Sequence, residues 1–87
     1  MALLTLTAVP GEAQRELFDL WLQAGDVILL REDARPMMWQ PNPTPARGCI
    51  RQADTDALGG QRHPDWAVIS DQEWADLIAE HQPQLTW

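Results

Sequence analysis

Ala24-Gly25-Asp26-Val27-Ile28-Leu29-Leu30-Arg31-Glu32-Asp33 is a helix end, a run of four apolar residues and an acidic exit, and the rest of the chain is read outward from it. Val27 to Leu30 puts no polar side chain on either side of a pleat, so both faces of that strand need cover. That is the situation of a strand inside a parallel sheet. Gly25 suits the left-handed residue that closes a helix, Asp26 turns the chain, and Glu32 and Asp33 return it to water. In open α/β sheets the carboxyl end of such a strand is where sites form.

Upstream, Ala2 to Thr7 is short, apolar and β-leaning, and Pro10-Gly11 stops it. From Glu12 the period changes. Ala13, Leu17, Leu20, Trp21 and Ala24 make one stripe of a 3.6-residue helix, broadened by Phe18 and Leu22, with Glu12 and Glu16 near its positive end. Strand, helix and apolar strand in this order form a βαβ unit.

Downstream, Ala34 to Arg47 contains Pro36, Pro41, Pro43 and Pro45, which predicts an extended, polyproline-like connection instead of a crossover helix. Met37, Met38 and Trp39 on that segment either fold back over the core or form a patch that meets another subunit. Gly48 to Arg51 reads as a third strand. Asp54 and Asp56 open one helical turn that ends at Gly59-Gly60, and Trp66 to Ile69 is a fourth strand. Ser70-Asp71-Gln72-Glu73 is a capping box, so a last helix starts near Asp71 and stops at Pro83. Gln84 to Trp87 reads as a tail. The expected architecture is a small three-layer α/β domain over residues 1–87, with a mainly parallel four-stranded sheet, the second crossover helix replaced by a Pro-rich loop and one sheet face left partly uncovered.

Eighty-seven residues without a disulfide build a core with little margin. Thirteen acidic against six basic residues give a formal charge of −7, which repels a phosphate backbone and argues against direct nucleic-acid binding. No basic leader with an apolar core and no long apolar run is present, so a cytoplasmic protein with no membrane partner is expected. Five Trp residues in so short a chain point to an interface, with Trp87 a candidate beside Met37, Met38 and Trp39.

The sequence holds no phosphate loop, no Cys pair, no His pair at ligand spacing and no nucleophile elbow, so no cofactor and no metal site is expected. His63 and His81 lack a partner for metal or nucleophile chemistry. Glu32, Asp33, Asp54 and Asp56 gather towards the carboxyl end of the sheet, where bare carboxylates cap turns more often than they bind metal. Cys49 is the one soft nucleophile. Arg47 and Arg51 flank it on the same strand face, which favours a thiolate if the sulfur is reachable; a free Cys on a strand is otherwise a small buried apolar residue.

Thr5-Leu6 with Pro10, then Gly25-Asp26-Val27-Ile28-Leu29-Leu30 followed by Glu32 or Asp33, then Asp54 with Gly59, and finally His81 to Trp87 form an ordered set. In this set the chain resembles the TusB/DsrH family of sulfur-relay subunits. The resemblance implies a DsrEFH-like fold of flavodoxin-like topology and a hetero-oligomer with TusC-like and TusD-like sister subunits. It implies a non-catalytic role in passing persulfide sulfur towards 2-thiolation of the tRNA wobble uridine or, in the Dsr branch, a role in dissimilatory sulfur oxidation. The family usually carries a helix where this chain has Met37 to Pro45. The persulfide cysteine belongs to the TusD-like sister, and an ungapped match puts Arg51 at its position. The Dsr-type cysteine of the first helix is absent, which favours the Tus branch. Three rival roles stay open on the residues: a small thiol sulfurtransferase using Cys49, a binding module presenting Met37 to Trp39, and self-association of the isolated chain.

Overall fold

A computed structural model describes all of Met1–Trp87. Five strands, β1 (Leu3–Leu6), β2 (Val27–Leu30), β3 (Arg47–Arg51), β4 (Trp66–Ile69) and β5 (Gln84–Thr86), form one parallel sheet in the order β4-β3-β2-β1-β5. The helices are α1 (Glu12–Trp21), α2 (Gln52–Ala57) and α3 (Asp71–Glu80), and a 3₁₀ segment covers Glu32–Trp39. As its four apolar residues require, β2 is central and buried on both faces.

The sheet has five strands where the sequence suggests four, because Gln84–Thr86 is no loose tail. It pairs with β1 in the register Leu3↔Gln84, Leu4↔Leu85 and Thr5↔Thr86. The Trp87 amide donates to Thr5 O at 2.8 Å, and the Thr7 amide to Trp87 O at 2.7 Å. Three residues carry no readable period; their strand is made by a partner about eighty positions earlier.

Alternation along the strands divides the core in two. On one face Leu4, Leu6, Ile28, Leu30 and Ile50 meet Phe18 and Leu22 at α1, Met37 and Met38 from the 3₁₀ segment, and Trp66. On the other face Leu3, Val27, Leu29, Cys49 and Ile69 meet Leu77 of α3. The architecture is therefore layered, with α3 alone on its side.

The extended connection is corrected by the structure. Glu32–Trp39 winds as 3₁₀ helix with Pro36 inside it, and Met37 and Met38 are buried, leaving Trp39 of that trio exposed. Burial of two methionines outweighs a single proline, which removes one backbone donor from the eight-residue run. The remaining prolines lie in the irregular stretch from residue 40 to residue 46, which is tied down by polar contacts. Trp66 Nε1 donates to Gln40 O at 2.7 Å, Asn42 Nδ2 to Ala46 O at 2.7 Å, and the Asn42 amide to Asp65 Oδ2 at 3.0 Å. Trp66 is fully buried against Gly48 on the adjacent strand, where a Cβ would lie 2.6 Å from its ring. From β2 to β4 this face is thus closed by Met37, Met38 and Trp66, and the part of it left open lies over β5.

The capping box is present, with the Glu73 amide donating to Ser70 Oγ and the Ser70 amide to Glu73 Oε1, both at 3.1 Å. Gly59 and Gly60 take φ of 96° and 84° after α2, as a helix-ending pair does. Gly25 does not close α1. That helix ends at Trp21, and the Asp26 carboxylate accepts from the amides of Gln23 (2.9 Å) and Ala2 (2.7 Å), tying the entry of β2 to β1. These two hydrogen bonds hold the Asp26 carboxyl below its ordinary pKa.

Candidate functional site

The carboxyl ends of β2 and β3 deliver Arg31 and Arg51 to the α3 side of the sheet. Their guanidinium carbons lie 5.1 and 4.6 Å from the ring centre of Trp74, which the first turn of α3 presents between them. Cation–π attraction fixes both cations on one aromatic plate. Arg51 Nε stands 3.7 Å from Asp54 Oδ2 and from Asp71 Oδ1, and Arg35 Nη1 stands 3.7 Å from Asp54 Oδ1. These are ion-pair distances without hydrogen bonds, and the Nε of Arg31, the Nε of Arg51 and Oδ2 of Asp54 are buried without a hydrogen-bond partner. All six basic residues of the chain are Arg, and three of them meet here.

This cluster occupies the region where α/β sheets hold ligands and fills it with the chain's own side chains. It supplies charge and packing. It holds no nucleophile, and the surface clefts of the molecule are lined by other residues. No three His, Cys, Asp or Glu side chains converge as a metal-binding group. Of the carboxylates that sequence places here, Asp54 joins the cluster. Glu32 and Asp33 are exposed at the start of the 3₁₀ segment, and Asp56 accepts from Gln52 Nε2 at 2.9 Å. His63 Nδ1 accepts the Asp65 amide at 3.0 Å, and His81 Nδ1 lies 3.1 Å from Leu77 O. Both rings serve local backbone.

Cys49 lies two residues before Arg51 and is completely buried beneath α3, among Leu29, Ile69 and Leu77. Burial raises its thiol pKa; the nearby Arg47 charge pulls the other way and Glu73 adds to the rise. The flanking arginines therefore do not make it a thiolate, because removing the anion from water outweighs them. As placed, the sulfur meets no substrate.

A contiguous apolar exposure lies at the opposite edge of the sheet. On α1 only Phe18 turns inward; Leu17 is 61% and Leu20 86% exposed, with Trp21 also open. With Leu85 and Trp87 of the β5 edge, Leu17 and Trp21 wall a groove of about 350 Å³ floored by Leu4 and Phe18. Phe18 stands edge-on to Trp87, with ring centres 5.8 Å apart. Among the sequence candidates Trp87 belongs to this groove, Trp39 stands exposed elsewhere, and Met37 and Met38 face inward. Sequence reading missed Leu17, Trp21 and Leu85. The available signal was the width of the helix's apolar arc, from Leu22 and Phe18 round to Leu20, which exceeds the roughly 100° a core-facing stripe needs.

In comparison with known proteins, the chain matches no protein-family model and no curated protein.

Proposed function

We propose that this chain is a non-catalytic subunit of a sulfur-relay complex, assembling with TusC-like and TusD-like sister chains to pass persulfide sulfur towards 2-thiolation of the tRNA wobble uridine. The observation that carries the reading is the burial of Cys49. The chain's one thiol is shut beneath α3, while an apolar groove stands open at the β5 edge. A subunit that contributes contact surface and leaves the sulfur to a sister has this distribution. The five-stranded parallel sheet is compatible with the flavodoxin-like three-layer fold that the resemblance implies. At the position the resemblance gives to the sister's cysteine stands Arg51, held against Trp74.

Co-expression with a TusC-like and a TusD-like chain tests this. The reading expects one hetero-oligomer in sedimentation and a loss of 2-thiouridine from tRNA when this chain is omitted. Absence of a complex together with unchanged thiolation contradicts it. A complex that leaves tRNA unaffected moves the role to the sulfur-oxidation branch.

A further inference from the structure

The arginines at the carboxyl end of β2 and β3 are unequally matched. Arg35 and Arg51 each stand 3.7 Å from Asp54, and Arg51 also stands 3.7 Å from Asp71. Arg31 has no carboxylate at ion-pair distance. It shares the Trp74 ring with Arg51, so two like charges lie on one aromatic plate and only one of them has counterions. Arg31 Nε is also buried without a hydrogen-bond partner. Glu32 and Asp33, next in sequence, are exposed and form no ion pair, and the Glu73 carboxylate accepts the Ser70 amide. On a chain of formal charge −7, three guanidinium groups here face two carboxylates, Asp54 and Asp71. A partly buried cation left over in this way is relieved by an anion from outside.

Asp71 marks where that anion goes. Its side chain is 82% exposed and meets Arg51 Nε at 3.7 Å without a hydrogen bond, an ion pair that water largely screens. Asp71 is also the first residue of α3, a ten-residue helix whose positive end lies here. A dissolved oxyanion displaces such a carboxylate at little cost and gains charge-assisted hydrogen bonds from the guanidinium groups. The cluster encloses no cleft, so the ligand is taken at the surface by one small charged group. We propose that Arg31 and Arg51, laid on Trp74, bind the oxyanion of a small ligand, a phosphate or carboxylate group, in the place that Asp71 occupies in the free chain. Carboxyl ends of central strands are where open α/β sheets take up ligands. The inference goes beyond the relay reading, since it gives the chain a ligand site that involves neither Cys49 nor a sister subunit.

The test titrates the whole chain with inorganic phosphate and, separately, with acetate, at constant ionic strength, and follows the arginine Nε–H resonances by NMR. The Arg31 and Arg51 signals should shift saturably. Arg31→Gln should weaken phosphate binding about tenfold or more, and Arg31→Lys, which keeps the charge but loses the fork, by less. Asp71→Asn removes the competing carboxylate and should tighten binding about threefold. Arg62→Gln, on an exposed arginine outside the cluster, should leave affinity unchanged, and urea unfolding of each variant checks that it folds. Tighter binding of phosphate assigns the site to a phosphate group; equal binding of acetate assigns it to a carboxylate. Shifts that do not saturate with either anion, an unchanged affinity in Arg31→Gln, or weaker binding in Asp71→Asn overturns the proposal. The titration uses the chain alone, so its failure leaves the relay reading standing, and failure of the sister chains to assemble leaves the anion result intact.

Discussion

The α3 side of the sheet and the α1–β5 edge invert what their residue types suggest. Beneath α3 a nucleophilic residue, Cys49, is sealed among Leu29, Ile69 and Leu77, and two arginines are laid flat on Trp74. At the other edge Leu17, Leu20, Trp21 and Leu85, residues that normally build cores, stand in water. Cover makes the difference. One capped ten-residue helix lies over the first region, and no element of the chain lies over the second. Whether a thiol is chemistry or filler, and whether a leucine is core or contact surface, is decided by the element above it.

The contrast is one of cover, and covered and open positions both test it. Trp66→Ala removes the largest fully buried side chain, from the covered part of the α1 side of the sheet, and should cost about 3 to 5 kcal/mol, enough to unfold much of so small a domain in a urea titration. A cost below about 1 kcal/mol would mean that Trp66 is not part of a packed core. Gly48→Ala sets a methyl against the rigid Trp66 ring and should cost about 2 kcal/mol by the same measurement.

Asp26→Asn keeps the shape but removes the charge that accepts the Ala2 and Gln23 amides, and about 1 kcal/mol is expected for so solvent-screened a group. The folded pKa of Asp26 is depressed, so its contribution is present above the unfolded value of about 3.9 and is lost as pH falls towards the folded value. Acid titrations of the parent chain and of Asp26→Asn should therefore converge at low pH. Cys49 has the opposite sign in alkali. Its folded pKa is raised, so stability should decline as pH climbs past the unfolded thiol value of about 8.5, and Cys49→Ala should remove that decline. Leu20→Lys, on the open edge, should move stability by less than about 0.5 kcal/mol; a larger loss would show that the stripe is packed against something in the isolated chain.

Sequence made the centre of the sheet legible because β2 is a local pattern: four apolar residues between a turn and an acidic exit. The capping box at Ser70 is equally local, and both stand as read. The periodicity of α1 was also correct, but a stripe says that a helix has an apolar side, not what that side meets. Only Phe18 of the helix faces the core, and the stripe through Leu17, Leu20 and Trp21 faces the groove or solvent. β5 was not legible, because three residues pair with a strand at the other end of the chain. The Arg31–Trp74–Arg51 stack was hidden for the same reason, its members arriving from three elements that only the sheet register brings together. Four prolines suggest an extended segment, but one of the four lies inside the 3₁₀ segment and the two methionines after it fix where that segment goes.

The proposed role, in which partners complete this chain and it does not itself carry sulfur, rests on the sealed thiol. The most direct test incubates the purified chain with a cysteine desulfurase and cysteine and then weighs it, with a TusD-like chain treated in parallel and Cys49→Ser as control. An unmodified Cys49 is expected under conditions that load the TusD-like chain. A Cys49 that gains one sulfur atom and passes it to an acceptor thiol would contradict it, and would make this chain a carrier in its own right.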